Sequence, residues 1–191
     1  MKFALVVNKI TSDIDNNIRS IEKYIKESAE NGAKIVLFSE AAITGLINND
    51  DPDHDIKFFM SLRGNRFKRI LNAAKNNNIY VGIGILEKDK GKFYDTSLLI
   101  SHLGKVILKY RRISQGWHGR NADPDIYRKG SKVETGVTEF GSFCFLICGD
   151  LFDDNLVKEI RKLNSDFLIF PFARSFNDGT YDRNRWDKEE K

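Results

Sequence analysis

The chain has little cysteine, little histidine and no long apolar run, and each shortage removes a class of protein. Its two cysteines, Cys144 and Cys148, lie in one apolar stretch. As a strand at ~3.3 Å per residue that stretch sets them about 13 Å apart, too far for a disulfide. Two unpaired thiols, behind an apolar Met1 to Val7 run too short for a signal-peptide core, fit a reducing, cytoplasmic setting. His54, His102 and His118 share no metal-ligand spacing with one another or with the cysteines, so no metal site is expected. No stretch approaches the ~20 apolar residues needed to span a bilayer, so no membrane association is expected. The 31 basic and 27 acidic residues are interleaved, so a formal charge of +4 builds no stripe for nucleic acid. No internal repeat or low-complexity segment stands out.

What remains is an ordinary globular composition, 41% hydrophobic and 30% charged over 191 residues, enough for one good core; a single domain over 1–191 is expected. Residues 3–7 read as a buried strand. A helix should start at Asp15 as N-cap, with Ile18, Ile21, Ile25 and Ala29 on its inner face and Asn31-Gly32 as C-cap. Lys34 to Phe38 completes a β-α-β unit. The polar stretch from Asn48 to Asp55 reads as loop. Phe67, Ile70, Leu71 and Ala74 mark a second helix, ended by Asn76-Asn77-Asn78 before a strand from Ile79 to Leu86. Antiparallel strands follow near Thr96 to Ser101 and Lys105 to Tyr110, with turns at 88–92 and at Leu103-Gly104. An apolar run from Phe143 to Cys148, a helix near 154–163 and a strand from Phe167 to Phe170 complete a mixed α/β pattern. The charged stretch from Tyr181 to Lys191 holds a lone Trp186.

Three segments can carry chemistry. Cys148 ends a buried strand before Gly149, Asp150 and a helix, so its thiol sits at a bend. There a helix N-terminus should lower its pKa, and turn N–H groups can face an oxyanion. The alternative is a small buried hydrophobe. Glu40 follows a strand among apolar neighbours, which makes it either a general base or a solvated loop residue. The run Lys109-Tyr110-Arg111-Arg112 closes another strand, and a basic edge of that kind can equally be a solvated feature that blocks aggregation.

In order and spacing these sites resemble the carbon-nitrogen hydrolase (nitrilase-like) superfamily. The match includes Asn17, Gly32-Ala33, the Glu40 segment with Thr44-Gly45, Gly104, Lys109-Tyr110-Arg111, Gly130 and Ile147-Cys148-Gly149-Asp150. The resemblance implies an αββα sandwich and hydrolysis of linear amide or carbamoyl substrates. It also implies a homodimer and no cofactor. Carried over, Cys148 is the nucleophile and Glu40 the base. Arg112 stands where the family has a lysine, and Asp123 where it has a second glutamate. A guanidinium can hold an oxyanion but does not release its proton, and it favours pairing with a carboxylate. The resemblance also implies further strands beyond the Trp186 region, which this sequence does not include. A second reading keeps the fold and drops the chemistry, leaving a silent binding or assembly subunit.

Overall fold

The computed structural model describes residues 1–173; the expectations for Tyr181 to Lys191 fall outside them. The chain opens with β1 (Phe3–Val6), α1 (Ile14–Glu30) and β2 (Ile35–Phe38), the expected β-α-β unit. β1 and β2 pair in parallel, as do β2 and β3 (Tyr80–Asp89). Antiparallel β4 (Lys92–Ile100) and β5 (Val106–Arg111) extend this sheet to five strands in the order β1-β2-β3-β4-β5. A second sheet holds β6 (Gly136–Thr138), β7 (Gly141–Phe145) and β8 (Phe167–Ile169), and α4 (Asp154–Leu163) connects β7 to β8.

Strand alternation builds the layers. Val81, Ile83 and Ile85 on β3 face one way, into a core shared with Ile18, Ile21 and Ile25 of α1 and Phe67 and Ile70 of α3 (Asn65–Asn76). Ile35, Tyr80, Leu99, Leu108 and Tyr110 face the other way and pack with Phe143 and Phe145 of β7, the inter-sheet layer. Leu156 and Ile160 of α4 join that second cluster. This is the expected αββα sandwich.

Several local expectations change. Asp13, not Asp15, caps α1, accepting from the Asn16 N–H at 3.0 Å, and its extended backbone (φ −87°, ψ 98°) marks the cap. Asp15 sits in the first helical turn, where it binds Arg66 of α3 at 2.7 Å. β3 continues to Asp89, so the hairpin turns on Lys90-Gly91 alone. The 48–55 stretch contains a short helix, α2 (Pro52–Asp55), capped by Asp51. Among the described residues no helix is long and apolar enough to cross a membrane.

Asp55 anchors that segment. Its buried carboxylate accepts from the Tyr127 hydroxyl at 2.6 Å and from the Asn49 N–H at 3.0 Å, and it meets His54 Nδ1 at 2.7 Å. Burial alone would raise its pKa, but these bonds together outweigh burial and hold it below the usual aspartate value. A depressed carboxylate adds stability above its unfolded pKa of about 4 and loses it as pH falls through the folded value. Tyr127→Phe should therefore cost about 1–3 kcal/mol in urea unfolding at neutral pH. The deficit should shrink on acidification; one that stays constant with pH would rule out this role for Asp55.

Candidate active site

Three chain segments end at one place between the sheets. The first is the turn after β2. Ala41 adopts φ 47°, and its carbonyl accepts from the Gly45 N–H at 2.7 Å, so the chain reverses and leaves Glu40 pointing inward, fully buried. The turn lies directly on β3, where a Cβ at Gly84 would come within 2.5 Å of the Ala41 nitrogen and 2.9 Å of the Glu40 Cα. A side chain there would displace Glu40.

The second segment is the end of β5, where period-two alternation sorts the basic run. Lys109 and Arg111 turn to one face and bind the buried Glu87, Arg111 through both Nε and Nη2 at 2.8 and 2.9 Å. Tyr110 and Arg112 turn to the other. The Tyr110 hydroxyl donates to Asp150 at 2.7 Å, and burial, reinforced by that carboxylate, pushes its pKa well above the usual tyrosine value. Arg112 Nη1 donates to Glu40 Oε1 at 2.9 Å, Nε to the Ser114 hydroxyl at 2.9 Å, and Nη2 to the Gln115 carbonyl at 3.1 Å. Arg112 as a whole is only 4% exposed.

The third segment follows β7. Cys148 opens a 3-10 turn (Cys148–Phe152) rather than ending the strand, and it holds φ 43°, a conformation that costs a non-glycine residue about 1–2 kcal/mol. Its N–H donates to the Pro171 carbonyl at 3.0 Å, which ties the turn to the chain after β8. Asp150 staples the turn to the Arg112 segment, accepting from Ser114 N–H at 2.7 Å, Ile113 N–H at 3.2 Å and Ile147 N–H at 3.0 Å. Gly149 lies against the guanidinium: a Cβ there would be 2.5 Å from Arg112 Nη2.

Cys148, Glu40 and Arg112 are thus neighbours: Arg112 binds Glu40, Gly149 next to the cysteine lies against the guanidinium, and both charges act on the thiol. The electrostatics reverse the expected thiol acidity. Burial first, then the Glu40 charge, raise the Cys148 pKa, and Arg112 offsets only part of this. The expected helix does not begin at Cys148, since α4 starts at Asp154 and the Asp153 side chain takes its Asn155 and Leu156 N–H groups. Asp123 does not join the cluster. It is exposed, and its carboxylate accepts from the Asp125 N–H at 2.8 Å. The acid beside Arg112 is instead Asp95 on β4, 1% exposed, with Oδ2 at 3.6 Å from Nη1. No sequence signal singles it out: β4 also carries the charged Lys92, and alternation does not say what Asp95 meets.

Comparison with known proteins gives the family and the fold. The family model described as Carbon-nitrogen hydrolase matches residues 2–189, and the chain belongs to that family. It is 29% identical over 177 residues to a nitrilase from Bacillus sp. (strain OxB-1), covering 87% of this chain and 51% of that protein. It is 30% identical over 184 residues to nitrilase homolog 2 from Dictyostelium discoideum, covering 90% and 54%. The chain therefore spans about half the length of these relatives. Its fold matches, with TM-score 0.75 and 14% identity over 92% of this chain and 66% of the other, a mutant of the amidase from Nesterenkonia sp. AN1; that structure shows covalent addition of the acetamide moiety of fluoroacetamide at the active site cysteine.

Two measurements follow from the geometry. Alkylation of Cys148 by iodoacetamide should show its pH inflection above that of a free cysteine, about 8.5, and Glu40→Gln should lower it; full reactivity near neutral pH would refute the electrostatic picture. Cys148→Gly should be more stable than Cys148→Ala by about 1 kcal/mol in denaturant unfolding, because glycine adopts the left-handed backbone without strain. Equal stability would show the turn to be relaxed.

Proposed function

We propose that the protein hydrolyses carbon-nitrogen bonds of small linear amides or carbamoyl compounds through a thioester on Cys148. The meeting of sulfur, carboxylate and guanidinium in one buried cluster carries this reading. A thiol held protonated beside a carboxylate suits a step in which Glu40 takes the proton as sulfur attacks the acyl carbon. The C–N bond then breaks as the leaving amine takes that proton from Glu40. Water, activated by Glu40, releases the acid and regenerates the thiol. The covalent cysteine adduct named for the Nesterenkonia amidase supports the nucleophile assignment by analogy.

Arg112 takes the part of the electrostatic clamp. Of the five guanidinium N–H groups, those described bind Glu40, Ser114 and Gln115, and Nη1 also faces Asp95. Among the described residues the second hydrogen on Nη2, the nitrogen against Gly149, has no acceptor and suits an oxyanion beside the sulfur. The same commitment of donors favours the second reading, in which the guanidinium is a structural brace and the chain a silent binding or assembly subunit. Two free thiols, Cys144 and Cys148, support a reducing, cytoplasmic setting.

The test is ammonia release from a panel of linear amides, with intact mass to detect an acyl adduct. Wild type should release ammonia, and Cys148→Ala should not. Arg112→Met, which removes the charge, should lose about 100- to 1,000-fold in turnover. Neither ammonia nor adduct in wild type or in Arg112→Lys would favour the silent subunit.

A further inference from the structure

The cluster contains an acid to which the reaction above gives no task. Asp95 is 1% exposed, and among the described residues neither of its carboxyl oxygens has a donor within hydrogen-bond geometry. Its own backbone carbonyl accepts from the Arg112 N–H at 2.9 Å, which fixes β4 against the end of β5 and holds the Asp95 side chain in place. The neighbouring groups are already engaged. Glu40 uses Oε1 for Arg112 Nη1 at 2.9 Å and Oε2 for the Ala173 N–H at 2.7 Å, as an ionised carboxylate does. Asp150 has its donors in Tyr110, Ile113, Ser114 and Ile147. Arg112 reaches Asp95 only at 3.6 Å, beyond hydrogen-bond distance.

Two ionised carboxylates sharing one guanidinium would leave a net negative charge buried, with both Asp95 oxygens unsatisfied. Proteins rarely leave such atoms unpaired. A proton removes both problems, because it cancels the charge and turns Asp95 into a donor for the Glu40 carboxylate, which lies against the same guanidinium nitrogen. We propose that Asp95 is a neutral carboxylic acid that donates a hydrogen bond to Glu40, a positioning residue that sets the charge of the cluster. Burial and the Glu40 charge raise its pKa well above the usual aspartate value, with Arg112 opposing and Asp150 adding to the rise.

The consequence concerns the reacting state, and to that extent it rests on the hydrolase reading. At rest, ionised Glu40 and Arg112 cancel, and neutral Asp95 adds nothing. When Glu40 takes the thiol proton, its charge disappears while Asp95 keeps its own proton. Apart from Asp150, whose charge is met by its own four donors, the cluster is then left with the one positive charge of Arg112, at the moment an oxyanion with one negative charge forms beside it. An ionised Asp95 would cancel that positive charge just when it is needed. The neutral acid lets an arginine that is paired at rest become an unpaired cation in the transition state.

The decisive measurement needs no substrate. Protein labelled with 13C at aspartate carboxyls should show Asp95, assigned through the backbone in wild type, at the shift of a neutral carboxyl from about pH 6 to about pH 8. A carboxylate shift over that range overturns the proposal, even in an active enzyme; a neutral signal stands even if no amide is turned over. As a second readout, Asp95→Asn replaces a neutral donor by a neutral donor and should leave the alkylation inflection of Cys148 in place. A fall of about one pH unit or more would mean that a negative charge had been removed, and would equally overturn the proposal.

Discussion

The buried contact between Arg112 and Glu40 is the constraint around which the site is organised. An arginine 4% exposed and a glutamate with no exposure cannot be left single, because the penalty for an unpaired buried ion exceeds most individual packing gains. The pair therefore fixes the end of β5 against the turn after β2, two segments separated by 72 residues in sequence. Once Arg112 is held there, the Ser114 hydroxyl and the Gln115 carbonyl order the loop that follows. Asp150 draws the same loop onto the Cys148 turn, so one ion pair and one carboxylate staple connect both sheets at the point where the thiol emerges.

Local structure at the three segments obeys the same demand. Ala41 and Cys148 both hold left-handed backbone, one beside the carboxylate and the other at the sulfur. Strain of this kind persists where the surroundings over-determine it. Here the surroundings are the Ala41 carbonyl's bond from Gly45, the bond from Cys148 N–H to Pro171, and the close contact of Gly84 with the first turn. The rigid β3 and β7 strands carry these turns as fixed supports, and the core on either side of the five-stranded sheet keeps them in register.

Much of this was legible in the sequence because Glu40 and Cys148 close apolar runs and Arg112 closes a basic strand end, and such patterns are the strongest local signal. Glu40, Arg112 and Cys148 are joined by the family resemblance that their order and spacing carry, and periodicity gives the β-α-β start. What failed was whatever depends on neighbours distant in sequence. Asp123 occupied a plausible position along the chain yet caps its own turn on the surface, whereas Asp95 was invisible because strand alternation says which face a residue takes and not what it meets there. The acidity of Cys148 was misjudged for a similar reason: a helix nearby in sequence was weighed, and the desolvation and opposing carboxylate supplied from across the fold were not. The short helix α2 was missed because four residues carry no period.

Gly149 and Arg112 also restrict each other's evolution. A Cβ at 149 would stand 2.5 Å from a guanidinium nitrogen and, less severely, 3.0 Å from the Ser114 hydroxyl, so the glycine is required chiefly while a broad, planar cation stands opposite. A slimmer ammonium at 112 would release that restriction, whereas a bulkier residue at 149 would first require the arginine to withdraw and strand Glu40 without its partner. Replacement at the two sites must accordingly proceed in one order, the cation first and the glycine afterwards.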